Sequence, residues 1–185
     1  MSNPRRNALT LLAGLAGASV LGACGFRLRG AEQTRLPFKT IYLGFAANSP
    51  LGIELRRYIR ASGSTEVVSD AKAAEAVLTP IAETAGESIL SINSQGRIRE
   101  LLLFYNFSFR VNDASGKQVL AQTDIALKRD MSFNEAAVLA KEGEKAMLYK
   151  DMRSDLVQQI LRRLAAIPAA SVTPVAPVAP ATQEK

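Results

Sequence analysis

The 185-residue chain has no histidine and a single cysteine. Without an imidazole there is no Ser-His-Asp triad, no histidine general base and no histidine-ligated metal. With one thiol there is no intrachain disulfide. A membrane-spanning helix is the weaker reading of the apolar run from Ala8 to Val20, which falls short of the roughly 20 residues such a helix needs. Against these absences stands an ordinary globular balance, 48% apolar and 22% charged, sufficient for one core.

The N-terminus reads as an export signal over residues 1–23. Arg5 and Arg6 give a positive start, Ala8 to Val20 an apolar middle, and Leu21-Gly22-Ala23 a small-residue end. The Arg5-Arg6 pair also fits twin-arginine export, although paired basic residues are common in ordinary signals. An exported chain with one cysteine has no partner for it. The string Leu21-Gly22-Ala23-Cys24 resembles a bacterial lipobox, which implies cleavage before Cys24 and acyl chains on it; the alternative is a signal-peptide cysteine with cleavage further on. Several acyl chains, at about 0.8 kcal/mol per buried methylene, hold a protein on a membrane where one chain does so only marginally. Gly25, in place of the Asp that marks inner-membrane retention, points to the outer membrane.

With Cys24 acylated, thiol chemistry is excluded and an enzyme would need a Ser/Lys pair or paired carboxylates. Ser69-Asp70-Ala71-Lys72 fits the S-x-x-K nucleophile pattern. It lacks the S-D-N and K-T-G partners, and Ser69 or Asp70 there suits a helical-turn cap. Glu83 and Glu87 lie in a polar segment that reads as a solvated strand or loop. No active site, metal or cofactor is expected.

Periodicity predicts the fold. Thr40 to Phe45 alternates as a half-buried strand, and Ser49 with Pro50 opens a helix whose face of Leu51, Leu55, Tyr58, Ile59 and Ser62 stops at Gly63. Val67-Val68 is a short strand. Ala76 to Ile92, interrupted by Pro80 and Gly86, is an irregular or edge strand. Leu101, Leu103, Tyr105, Phe107, Phe109 and Val111 share one face of a further strand. Asn112 to Gly116 turn it, and Val119, Ala121, Thr123, Ile125 and Leu127 repeat the alternation. On the opposite face Leu102 and Phe104 read equally as a satellite core or as a surface that a partner covers. Asn134 caps a long helix with Met152, Leu156, Val157, Ile160, Leu161, Leu164 and Ile167 on its apolar face. Pro168 ends it, and residues 168–185, rich in Pro and Ala, read as a disordered tail. The expected architecture is α+β: a two-layer sandwich with two helices on one face of a mixed, roughly four-stranded β-sheet, over residues 24–167.

Three stretches then carry a resemblance: Cys24-Gly25-Phe26-Arg27-Leu28-Arg29-Gly30, Arg129 leading into Asn134, and the run from Val138 to Leu164. In these the chain is similar to the lipopolysaccharide-assembly lipoprotein family LptE. The resemblance implies an outer-membrane lipoprotein that is not an enzyme, plugs the barrel protein LptD and helps to insert lipopolysaccharide into the outer leaflet. It also implies a lipopolysaccharide-binding role for Lys141. The family's basic residue before a glycine, in the loop between the middle strands, is here replaced by Ser94 ahead of Gln95-Gly96. Arg97 and Arg99 follow the glycine and can supply guanidinium forks for phosphate instead. Leu102 and Phe104 become candidates for barrel contact. Loss of Arg5 and Arg6 with the signal leaves 21 of 23 basic residues against 17 acidic, a net charge of +4 suited to a phosphorylated anionic lipid. Nucleic acid is not an expected partner in that compartment. The competing reading is an outer-membrane lipoprotein adaptor of another envelope machine.

Overall fold

In the computed structural model residues 35–172 are described. The chain runs β1 (Thr40–Leu43), α1 (Pro50–Ser62), β2 (Glu66–Val68), β3 (Ala76–Ile92), β4 (Ile98–Asp113), β5 (Gln118–Ser132) and α2 (Val138–Ala165). Single 3-10 turns occur at Ala71–Ala73, Glu135–Ala137 and Ala169–Ser171. The expected signal peptide, Cys24 and most of the expected tail lie outside the described residues. Past Ile167, Val172 is also buried against the core.

Caps fix the helix starts. Ser49 Oγ accepts from Gly52 N at 3.1 Å, Pro50 occupies the first turn, and Gly63 ends α1 at φ +65°, a left-handed conformation that costs glycine least. Asn134 accepts from Ala136 N, so the cap expected there holds, but on a three-residue 3-10 turn that runs directly into α2. Leu51, Leu55 and Ile59 of α1 are fully buried, as are Met152, Leu156, Val157, Ile160 and Leu164 of α2. Both helices therefore present the stripe that their 3.6-residue period requires.

The helices pack on one sheet with the order β2-β1-β3-β4-β5. There are five strands, one more than expected, because the three-residue β2 pairs in parallel with β1. β1 also pairs in parallel with β3, and the remaining pairs are antiparallel. The six alternate residues of β4 from Leu101 to Val111 are all buried, and Phe45, Phe107 and Phe109 stack at centroid separations of 5.7 and 5.5 Å.

Of the register shifts in the two antiparallel pairs, two bear on the expected pattern. In β5, Val111 pairs with Leu120 but Phe109 pairs with Thr123, so the strand carries an extra residue. That bulge breaks the alternation expected from Val119 onward: Leu120, rather than Val119 or Ala121, stands opposite Val111. In β3 the register slips between Pro80 and Ala82. β1 reaches only Leu78, so β3 is an interior strand as far as Leu78 and a free edge beyond it. Pro80, which has no N–H to donate, sits just past that change.

Candidate functional site

The two hairpin turns lie at opposite ends of β4, about 50 Å apart for 16 residues at ~3.3 Å each. The β3–β4 turn is tightly built. Asn93 Oδ1 accepts from the backbone N–H groups of Gln95 and Arg97, both at 2.9 Å, and Gly96 takes φ +75°. Beside it the end of β5 continues the ladder, Phe133 N donating to Arg99 O at 2.7 Å. The chain then turns at Asn134 into α2.

These elements enclose an open cleft of about 870 Å³. Arg97 and Arg99, together with Lys141 more than forty residues further along the sequence, all line it. The sequence-predicted cations are thus brought together. Their partners could not be read beforehand. Arg97 lies 3.3 Å from Glu135, and Lys141 Nζ donates to Ser132 Oγ at 2.9 Å and to Glu144 at 2.7 Å. Arg99 makes no ion pair among the described residues. Glu100, hydrogen-bonded to Ser91, also lines the cleft.

Chemically the cleft is a set of exchangeable cations. The Arg97–Glu135 pair is 65% and 53% exposed, and such pairs contribute about 0–1 kcal/mol. A phosphate that offers a bidentate guanidinium contact competes with Glu135 at little cost. Lys141 differs, since its side chain is only 18% exposed and Ser132 helps to aim its ammonium.

The same end of the fold carries apolar surface that sequence reasoning missed. Ile89, Leu90 and Ile92 of the free β3 edge are 58%, 48% and 59% exposed, and Leu139 in the first turn of α2 is 89% exposed. Ile92, Ile98 and Phe133 are cleft-lining residues. The available signal was Pro80, which marks where the strand loses its neighbour.

Leu102 and Phe104 lie on the sheet face opposite the helices and are half-buried. Phe104 covers Gly86 of the neighbouring strand; a Cβ there would lie 2.6 Å from the ring. Its packing is therefore partly internal, while the face itself remains uncovered among the described residues.

The other sequence candidates have structural partners. Asp70, rather than Ser69, caps the 3-10 turn through Lys72 N at 2.9 Å. No hydrogen bond joins the Ser69 and Lys72 side chains among the described residues. Glu83 and Glu87 are strand residues: Glu83 accepts from Tyr105 Oη at 2.5 Å and Glu87 pairs with Lys145 at 3.0 Å. Burial and the Glu83 hydrogen bond push the Tyr105 hydroxyl far above its ordinary range. No group of metal-binding side chains occurs among the described residues, and no described helix is long and apolar enough to cross a membrane.

The fold is a two-layer α+β sandwich with an open cleft at one end, where cations lie near exposed apolar side chains. Residues 38–164 match the model of the lipopolysaccharide-assembly family LptE. The chain is 30% identical over 170 residues to an LPS-assembly lipoprotein LptE of Yersinia pestis, covering 91% of this chain and 80% of that one. To the protein of the same name from Photorhabdus laumondii it is 28% identical, covering 86% of each. Among solved structures it is similar to a lipoprotein B from Nitrosomonas europaea, with TM-score 0.68, 37% identity, and coverage of 80% of this chain and 94% of that one. The rare lipoprotein B of Shewanella oneidensis gives TM-score 0.61 at 25% identity, with coverage of 69% and 95%. The chain belongs to the LptE family.

Proposed function

We propose that the protein is a non-enzymatic outer-membrane lipoprotein, acylated at Cys24, that binds lipopolysaccharide at the cleft of Arg97, Arg99 and Lys141. In this reading it acts as the plug and assembly subunit of the LptD barrel and helps to deliver lipopolysaccharide to the outer leaflet. The observation that carries the reading is the convergence of three cations with exposed Ile92 and Leu139 at one end of the fold. An anionic headgroup and its acyl chains need both kinds of contact. The length agrees: about 50 Å of hairpin compares with the 40–45 Å of a bilayer that includes its headgroups. A domain anchored at one leaflet through Cys24 therefore has the reach to act near the other.

The test separates ligand from partner. Charge reversal by Lys141→Glu with Arg97→Glu in the purified protein is expected to weaken lipopolysaccharide binding by roughly tenfold or more, for loss of two charge-assisted contacts, with a larger effect at low salt. Copurification of the barrel from detergent-solubilised membrane should survive this change. Leu102→Asn with Phe104→Asn should do the reverse. Binding that is insensitive to charge reversal at every salt concentration would remove the cleft from the mechanism.

A further inference from the structure

At the end opposite the cleft, the starts of β1, β2 and β3, the ends of both helices and the β4–β5 turn come together. Thr65 Oγ1 donates to Phe38 O and Thr40 Oγ1 to Ala73 O, while Ala76 pairs with Asp113. Glu54 of α1 meets Arg153 and Ser154 of α2, and topology makes the helices run the same way, so their C-termini share this end.

Seven exposed cations lie here. Arg60, Arg162 and Arg163 occupy the last turns of the two α-helices, and Arg35, Lys39, Lys72 and Lys117 the adjoining connections, Lys72 within the 3-10 turn Ala71–Ala73. Complementing the helix dipoles accounts for the first three but not for the other four. None of the seven takes part in the ion pairs found among the described residues. Four carboxylates accompany them. Glu75, Asp70 and Asp113 accept from backbone N–H groups of the same connections, and Glu66 begins β2. The balance is cationic, and the described chain enters here, at Arg35, eleven residues after Cys24.

We propose that this end is a docking surface for an anionic phospholipid leaflet, used by the anchored protein while it is outside the barrel. The inference rests on the reading of Cys24 as acylated: an acyl anchor holds this end within reach of headgroups, since eleven residues span at most about 40 Å. At that range tethering raises the local concentration of surface charge, and the cations fix how the domain stands on the leaflet. Each one within a Debye length contributes up to about fivefold to occupancy.

The experiment uses the acylated full-length mature protein with a fluorophore on Ala114→Cys in the β4–β5 turn, or on Ser94→Cys in the β3–β4 turn. It is reconstituted on vesicles of phosphatidylcholine, with or without phosphatidylglycerol, that carry a headgroup-linked quencher. The label at position 114 should be quenched roughly threefold more on anionic vesicles, the gain should disappear in high salt, and the label at position 94 should not respond. Arg60→Gln with Arg162→Gln and Arg163→Gln should remove most of that threefold gain. Lys39→Gln with Lys72→Gln and Lys117→Gln, which leaves the helix ends intact, should do likewise. Equal quenching on both vesicles by an attached protein would overturn the proposal and leave the anchor standing. Failure to attach to either vesicle would overturn the anchor itself, and the proposal with it. Shielding of position 114 by purified barrel but not by anionic lipid would make this a protein-docking surface and also overturn it.

Discussion

Glu54 is where the two helices are joined by polar groups, and its removal has a calculable cost. Its side chain is 11% exposed; one carboxylate oxygen accepts from Ser154 Oγ at 2.6 Å and the other from Arg153 Nε at 3.2 Å. A third contact, to Arg57 at 3.9 Å, is made by a side chain 72% exposed and contributes almost nothing. In Glu54→Ala the half-buried Ser154 hydroxyl loses a charged acceptor, which costs about 1.5–3 kcal/mol. Arg153 is 26% exposed, so its guanidinium can rehydrate, and that loss is held to at most about 1 kcal/mol. The sum is about 1.5–4 kcal/mol, a fall in Tm of roughly 4–14 °C for a fold of this size. Glu54→Gln retains an acceptor for Ser154 and should cost about 1 kcal/mol. Urea unfolding provides the assay: the midpoint should shift without a change in slope. If Glu54→Ala and wild type unfold within ~0.5 kcal/mol of each other, the network is a surface decoration. If Gln costs as much as Ala, charge rather than hydrogen bonding to Ser154 is what matters.

Alkali should destabilise the fold in a way that one residue reports. Tyr105 is raised above its ordinary value of 10.0 by burial first and then by its hydrogen bond to Glu83. A raised folded value means that its contribution is complete below pH 10 and is lost as pH rises above it, by up to about 1.4 kcal/mol per pH unit. Denaturant midpoints measured across that range should therefore fall less steeply in Tyr105→Phe than in wild type, and equal slopes would exclude the buried phenol. Lys145 is displaced in the same direction, chiefly by its hydrogen bond to Glu142 and then by that to Glu87, so Lys145→Met should also flatten the profile above pH 10.5. At the N-terminus, Cys24→Ala should leave an uncut precursor or a differently cut chain that leaves the membrane fraction on washing. Unchanged attachment would argue against acylation.

Legibility followed period and caps. The buried face of α2 and the six inward residues of β4 could be read because each strict period survives intact from end to end. Ser49, Asn134 and Gly63 were visible because their side chains, or the lack of one, have few other uses at such positions. The bulges were not visible. An extra residue opposite Arg110 shifts the phase of β5 without altering its composition, so Val119 and Ala121 could be placed inward when Leu120 is the residue opposite Val111. Pro80 and Gly86 marked β3 as an irregular or edge strand, but not that its parallel neighbour ends at Leu43, which leaves Ile89, Leu90 and Ile92 on a free edge. For the site, spacing alone would not have joined Lys141 to Arg97 and Arg99. The grouping came from family resemblance, and the fold supplies its geometric reason: the β3–β4 turn and the start of α2 meet at one end of the sheet.

That geometry bears on how an anionic lipid could be both held and released. Burying three unpaired cations in a dry pocket would cost several kcal/mol per charge and would bind phosphate too firmly for transfer. Here Arg97 and Lys141 already have carboxylate partners, Glu135 and Glu144, 53% and 46% exposed. An incoming phosphate therefore exchanges one solvated ion pair for another, and departure reverses the exchange without stranding a buried charge. The net electrostatic gain stays small and sensitive to salt, leaving the exposed apolar residues of β3 and α2 to supply contact with acyl chains at about 25 cal/mol per Å² covered. Within the proposed function, such a division suits a subunit that passes its ligand onward: apolar surface gives most of the attraction, and exchangeable cations set the orientation of the headgroup.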